Sequence, residues 1–510
     1  MKKIITFLAF LLVLFSCFTT KLEAREEEHE IISYHGQALF SAYVSSEKIL
    51  YMSGINGSGQ LGRGYQSELV KLEPLGHKVL ANIKTYVTGK SGFVVALTET
   101  GSLYGWGNNQ YGQIGQDVTL VNPDSKSNSL WAPTTINLNR DIEIISIKAG
   151  ARHTVLLDNE GRVYTFGDNS FGQLGINAVV SAENRKIAYG KPTKINQSYF
   201  NNMKVTQIES SEFTTYCLVE NGDVYAFGDG YQGQLVDGID ESRSVNVPQK
   251  TLFENVKKIS AFSTTVMALT NDNKVYIAGS NNFRQFGIKG FTELFSSTPI
   301  EINEFYDFSG NALVSGVKDI ECGGISNFVI LNDGSLCGFG SGGSKELGFS
   351  INEISNKYGY EHIELSNVLA PTKIKFYEPV SLDDLGEKIP YDQTKEILVD
   401  VSEIIFSSGN RTFVKDSNGL TWSFGDNTSG MISSGNLVSV DAPIRPTLYR
   451  ISNYDVGIRQ KNYLITPIVV LSIMAVGFGY IIIKAELKRK NEEQEVSSRK
   501  IKKRLKDGNI

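Results

Sequence analysis

The chain has 510 residues with 41% hydrophobic residues, 21% charged residues and 49 glycines, enough to bury one large core or two to three ordinary ones. A formal net charge of −5 leaves no global basic excess to neutralise phosphates, so nucleic acid is not an expected partner. Five scattered histidines and four cysteines supply no metal-ligand spacing and no disulfide framework.

In chain order, Lys2 and Lys3 precede an apolar run from Ile4 to Leu14 that continues through Phe15, Cys17 and Phe18. A basic start, an apolar stretch and then small or polar residues describe a secretory signal peptide, here residues 1–24, with Leu22-Glu23-Ala24 at the cleavage site. A retained N-terminal helix and a lipoprotein signal ending at Cys17 are the alternatives. An acidic segment, 25–34, follows.

Residues 35–450 form a repeat array, the feature to be sought before any other. Aligning on one glycine gives Gly54-INGSGQLG, Gly107-NNQYGQIG, Gly167-DNSFGQLG, Gly228-DGYQGQLV, Gly279-SNNFRQFG, Gly340-SGGSKELG and Gly425-DNTSGMIS. Most of these glycines follow an apolar strand such as Val163-Tyr-Thr-Phe166 or Val224-Tyr-Ala-Phe227. Upstream lies a second apolar run, such as His153-Thr-Val-Leu-Leu157, with an Asn/Asp/Gly turn such as Asp158-Asn-Glu-Gly161 between. This is hairpin chemistry. Strands apolar on both faces suit sheets sandwiched between neighbours.

The segments resemble the regulator of chromosome condensation repeat family, with Gly107–Gly115 and Gly167–Gly175 matching its repeat over their full length. The resemblance implies an all-β, seven-bladed propeller of four-stranded blades around a central channel. It also implies that the repeat turns at Gly54, Gly107, Gly167, Gly228, Gly279, Gly340 and Gly425 are scaffold, the glycines allowing positive φ and close backbone approach. The later repeats depart from the pattern: Val236 and Arg284 replace glycines, Lys345-Glu346 replaces Gly-Gln, and the last ends in Met431-Ile432-Ser433. The first repeat lacks a clear upstream strand, for which Gln37–Val44 is the candidate.

Between repeats six and seven an insertion, about 352–399, carries Tyr358, Tyr360, Asp383, Asp384 and Tyr391. Long loops on rigid scaffolds are where recognition is placed, so these residues form a candidate binding loop; a tolerated insertion is the alternative. Sequons at Asn56, Asn196, Asn410 and Asn427 are glycosylation candidates in a eukaryotic secretory pathway, with Asn196 the best placed. After signal removal Cys217, Cys322 and Cys337 remain, and a Cys322–Cys337 bridge is conceivable. No catalytic, cofactor-binding or metal-binding residues are expected.

A linker, 451–462, leads to Tyr463–Ile483, which contains no charged residue. As a helix it spans roughly 31 Å, the thickness of a bilayer's hydrocarbon core; a buried core helix is the alternative. The tail 484–510 holds Lys484, Lys488, Arg489 and Lys490 close to the span. The positive-inside rule places it in the cytosol and the propeller across the membrane. That is a type I single-pass protein of the plasma membrane or an endomembrane. The basic tail is a candidate contact for anionic lipid, or simply a solvated stop-transfer flank. The expected function is a protein- or ligand-binding module serving as receptor, adhesion element or scaffold, and not an enzyme. Guanine-nucleotide exchange, the activity the family is named for, is the alternative if the propeller is cytosolic. A lumenal sorting or folding receptor is another.

Overall fold

The computed structural model describes residues 28–450 and, in the tail, 488–491, 493 and 497–499. Within 28–450, residues 30, 38–39, 68–72, 119–127, 139–141, 179–187, 350–362, 365–366, 380–390, 409, 427–439 and 445–448 are left undescribed. Seven sheets built from consecutive antiparallel strands follow one another along residues 31–444. Blade 3 shows the pattern: Ile144–Ala149, His153–Asp158, Val163–Asp168 and Ala188–Lys194 pair in that order. The expected upstream strand of the first repeat is Phe40–Ser45, which pairs with Leu50–Gly54 and, on its other side, with Ile31–Gln37.

The first strand of every blade packs against the first strand of the next, and that of blade 7, Val401–Ser408, packs against that of blade 1. These are therefore the inner strands around a central axis, and the ring is closed. Middle strands are buried along their whole length, as in His153–Asp158 and Thr214–Val219. The core lies in the seams between blades, such as Phe40, Met52, Val94 and Trp106 between blades 1 and 2. Each such side chain contributes roughly 1.5–3 kcal/mol by leaving water.

The closing seam is built differently. Among the described residues blades 1 and 7 each use strands local in sequence, and the chain ends meet outside both sheets, where Glu28–His29 pairs with the strand that begins at Tyr449. Between the two blades the buried Arg411 guanidinium donates to the Tyr34 hydroxyl at 3.4 Å and to Ser41 Oγ at 3.2 Å. The Tyr34 ring stacks on Phe413 at 3.7 Å between centroids.

The insertion after the sixth repeat divides in two. Asn367–Lys373 is the outer strand of blade 6, extended by the short strand Ile363–Glu364. Phe376–Pro379 and Tyr391–Ile397 form a separate hairpin. Cys217, Cys322 and Cys337 are all buried free thiols, so the conceivable Cys322–Cys337 bridge is not formed; Cys322 Sγ instead donates to the carbonyl of Ser260 at 3.2 Å. The span Tyr463–Ile483 lies outside the described residues, and none of the described residues forms a helix long and apolar enough to cross a membrane.

Candidate functional site: the turn face and the inner seams

All seven anchor glycines have positive φ, from 94° to 116°. At Gly167 a Cβ would meet the Arg152 carbonyl oxygen at 2.5 Å, in the turn that joins the two inner strands of the same blade. The other repeat residues brace the turn that follows the third strand. Asn109, Asn169 and Asn281 each accept the N–H five residues on, at 3.0–3.2 Å. Gln113, Gln173, Gln234 and Gln285 each accept the N–H two residues back, at 2.7–2.9 Å. The repeat is thus consumed in holding its own backbone, a job for amide side chains in turns.

That bracing fixes one end of the propeller as a rigid face. An antiparallel meander puts the turns after the first and third strands of every blade at this same end. Backbone bonds link the first turns across four blades: Ser91 N–H to Ala151 O at 3.1 Å, Ala151 N–H to Glu212 O at 2.9 Å, and Glu212 N–H to Ser263 O at 2.9 Å. Beside this belt lies a shallow depression lined by Gln37, Lys90, Gly150, Ser211, Glu212 and Phe262. Lys90 Nζ pairs with Glu212 across it at 2.7 Å.

Arg152 is the most elaborated group on the face. Its guanidinium lies over the Tyr111 ring at 4.5 Å and the Phe213 ring at 4.9 Å. It donates to the Tyr111 hydroxyl at 2.9 Å and pairs with the buried Asp168 at 2.9 Å. Three blades thereby contribute to one cationic–aromatic stack, half-buried and held in place. Tyr231 and Phe283, from the repeat turns of blades 4 and 5, project outward at 64% and 47% exposure.

Between the inner strands of blades 3 to 6 lies a charged set that the repeat pattern does not announce. Lys148 pairs with Glu209 at 2.7 Å across one seam, and Lys258 pairs with Asp319 across another. Ser260 Oγ donates to Glu321 at 3.2 Å, and Gln207 Nε2 donates to the Ile259 carbonyl at 2.7 Å. Burial pushes the Glu321 carboxyl up to about 7, against the opposing pull of Lys258 and Lys148. Burial alone would lower the Lys148 ammonium, but Glu209 and Glu321 hold it above its ordinary value. The signal in the sequence was a spacing: Lys258 and Asp319, like Ser260 and Glu321, stand 61 positions apart, one repeat on.

The predicted site residues do not converge. Asn56 is fully buried in the first repeat turn, and Asn410 sits at positive φ in the closing turn with its amide donated to Ser344 at 3.1 Å. Asn196 is exposed at the start of a short 3-10 turn. Asn427, Tyr358, Tyr360, Asp383 and Asp384 lie outside the described residues. Tyr391 opens the second strand of the extra hairpin, opposite Pro379. His153 is buried, His35 is half-buried, and the two are separate; desolvation depresses each to about 3. Among the described residues no three His, Cys, Asp or Glu side chains group to hold a metal.

A closed ring of seven blades, with its repeat residues spent on scaffold and a braced polar–aromatic face at one end, defines a seven-bladed β-propeller. The chain belongs to the RCC1-like domain family, whose sequence model matches residues 18–358. It is 27% identical over 324 residues to the ultraviolet-B receptor UVR8 of Arabidopsis thaliana, covering 63% of this chain and 67% of UVR8. It is 31% identical over 211 residues to rat HERC4, a probable E3 ubiquitin-protein ligase, covering 41% of this chain but only 18% of that protein. Among solved structures, human WBSCR16 superposes with a TM-score of 0.59 at 21% identity, over 78% of this chain and 94% of that one. Prp20p of Saccharomyces cerevisiae, described with its binding to Gsp1p and histones, superposes with a TM-score of 0.58 at 20% identity, over 81% and 87%. At these identities the two structures speak for the fold alone.

Proposed function

We propose that this chain is a type I single-pass membrane protein whose propeller binds a protein ligand outside the cytosol through its turn face. The observation that carries the reading is the uncharged run Tyr463–Ile483, followed at once by Lys484, Lys488, Arg489 and Lys490. The apolar start at Ile4–Leu14 supports the same orientation independently. The Tyr111–Arg152–Phe213 stack and the exposed Tyr231 and Phe283 supply the aromatic and arginine anchors that protein interfaces favour. The basic tail contacts anionic headgroups of the cytosolic leaflet.

The competing reading is regulation of a small GTPase. It is favoured by the shared fold with Prp20p, a protein described as binding Gsp1p, and it requires the propeller to face the cytosol. The two readings separate by antibody access to a tag after Ala24 and a tag after Ile510, in intact and in selectively permeabilised cells. The proposal expects the C-terminal tag to become accessible as soon as the plasma membrane is opened. The N-terminal tag should need either the cell exterior or lysis of the internal membranes. Both tags hidden in intact cells, and both accessible once only the plasma membrane is opened, would rule it out in favour of the GTPase reading.

A further inference from the structure

The topology proposed above exposes the propeller to glycosylating enzymes, and the fold discriminates among its sequons. We infer that Asn196 carries an N-linked oligosaccharide and that Asn56 and Asn410 do not. This rests on that topology.

Asn196 joins the outer strand of blade 3, Ala188–Lys194, to the inner strand of blade 4, Val205–Ser210. It caps the 3-10 turn Gln197–Phe200 in extended conformation, with φ −67° and ψ 121°. Its Oδ1 accepts the Ser198 N–H at 3.1 Å, while its Nδ2 has no partner among the described residues. Both Asn196 and the sequon hydroxyl residue Ser198 are exposed. The turn beneath is fixed from below: Phe200 is buried, and Gln197 Nε2 donates to the carbonyls of Met203 at 2.5 Å and Gly161 at 3.3 Å. The acceptor therefore stands on an anchored loop with its amide nitrogen open to solvent.

The other two described sequons have spent that nitrogen on the fold. Asn56 is 0% exposed, with Nδ2 donated to the Tyr65 carbonyl at 2.9 Å and Oδ1 accepting the Leu61 N–H at 3.0 Å. A sugar on its Nδ2 would displace the repeat turn of blade 1. Asn410 holds φ 65° beside the ring-closing Arg411 and donates its Nδ2 to Ser344 Oγ. Loss of a buried turn bond of this kind costs roughly 1–3 kcal/mol before any steric term.

The chemistry is a glycosyl transfer from a polyprenyl-diphosphate-linked oligosaccharide. The sugar C1–O bond to diphosphate breaks and a C1–Nδ2 bond forms. The diphosphate leaves with the bonding electrons, and the amide gives one proton to a base on the transferase. The contact between Gln197 and the Gly161 turn places Asn196 at the end of the propeller opposite the turn face. A glycan there shields the far end and leaves the turn face open to a protein ligand.

The test uses the full chain in cells with secretory glycosylation, carrying after Ala24 a tag that contains one additional efficient acceptor sequon. Amidase release in isotope-labelled water marks each modified asparagine for peptide mass spectrometry. The expected result is label in the tag and at Asn196 and none at Asn56 or Asn410. Ser198→Ala, which keeps the Asn196 cap, should lose the mobility shift of one glycan without changing the unfolding midpoint. Label in the tag with none at Asn196, or label at Asn56 or Asn410, overturns the inference and leaves the topology standing. An unlabelled tag overturns both.

Discussion

The seam between blades 3 and 4 and the seam that closes the ring do the same work with opposite chemistry. The first is mostly a continuous apolar cluster that includes Leu157, Ile208, Tyr216 and Phe227, all essentially inaccessible to water, with the Lys148–Glu209 pair only at its channel-side edge. Among the described residues the second is marked by a buried arginine, two hydroxyls and one stacked aromatic pair, beside the pairing of Glu28–His29 with the strand that begins at Tyr449. Apolar contact is non-directional and tolerates drift along the seam, whereas hydrogen bonds to a planar guanidinium fix one register. A ring assembled from consecutive hairpins has to define its last contact only once. A directional lock there prevents a slipped closure that another greasy seam would permit.

The sharpest break of this comparison is in the apolar seam. Phe227→Ala removes a fully buried ring and should destabilise by about 4 kcal/mol. Urea unfolding of the detergent-solubilised full chain measures it; a cost near 1 kcal/mol would mean the seam collapses around the gap. Arg411→Met keeps the apolar stem and removes the directional bonds. We expect a loss of about 3 kcal/mol and increased proteolysis near residues 31–45, because Tyr34 and Ser41 keep their mutual bond at 2.6 Å but lose the guanidinium that ties them to blade 7. A loss below about 0.5 kcal/mol would show that the guanidinium bonds are not what closes the ring.

A third experiment reads the polar inner seams through pH. Glu321 is raised from its ordinary 4.5 to about 7, so the folded chain holds this proton more tightly than the unfolded chain does. The contribution is therefore fully present below about pH 4.5 and is lost as pH rises through 7. Discounted for partial exposure it is about 2 kcal/mol. Glu321→Gln should remove that slope while leaving the acceptor for Ser260 in place, so variant and parent diverge between pH 5 and pH 7 in thermal unfolding. Parallel curves would contradict the assignment.

The smallest effect concerns the decayed repeats. Lys345 occupies at φ 66° the place where blade 3 has Gly172 at φ 83°, and Lys345→Gly should stabilise by about 1 kcal/mol, read as a raised unfolding midpoint. Its neighbour Glu346 shows why the decay is tolerated. One carboxylate oxygen accepts the Ser344 N–H at 2.6 Å, as the glutamine does elsewhere. The turn needs an acceptor, and either residue type supplies one.

These residues also mark what was legible in the sequence. The seven glycines, the hairpin turns and the buried middle strands could be read because backbone demands repeat with the fold: positive φ and strand alternation recur in every blade. The channel-side set of Lys148, Glu209, Glu321, Lys258 and Asp319 could not be read in the same way. The inner strands carry Lys148, Glu209, Ser260 and Glu321 at the equivalent position, no fixed residue type, and their meaning appears only when neighbouring blades are brought together. Arg411 looked like part of a sequon, Asn410-Arg-Thr412, and its role as the ring's lock depends on Tyr34 and Ser41 at the other end of the chain. The insertion misled in part, since Asn367–Lys373 lacks a recognisable repeat motif yet completes blade 6.

The most direct test of the proposed function is protease protection on sealed vesicles, with the tags after Ala24 and after Ile510. The predicted result is removal of the C-terminal tag with a protected fragment that retains the N-terminal tag and the whole propeller, lost only when detergent is added. Digestion of the propeller in intact vesicles would contradict the type I topology and move regulation of a cytosolic GTPase to the front.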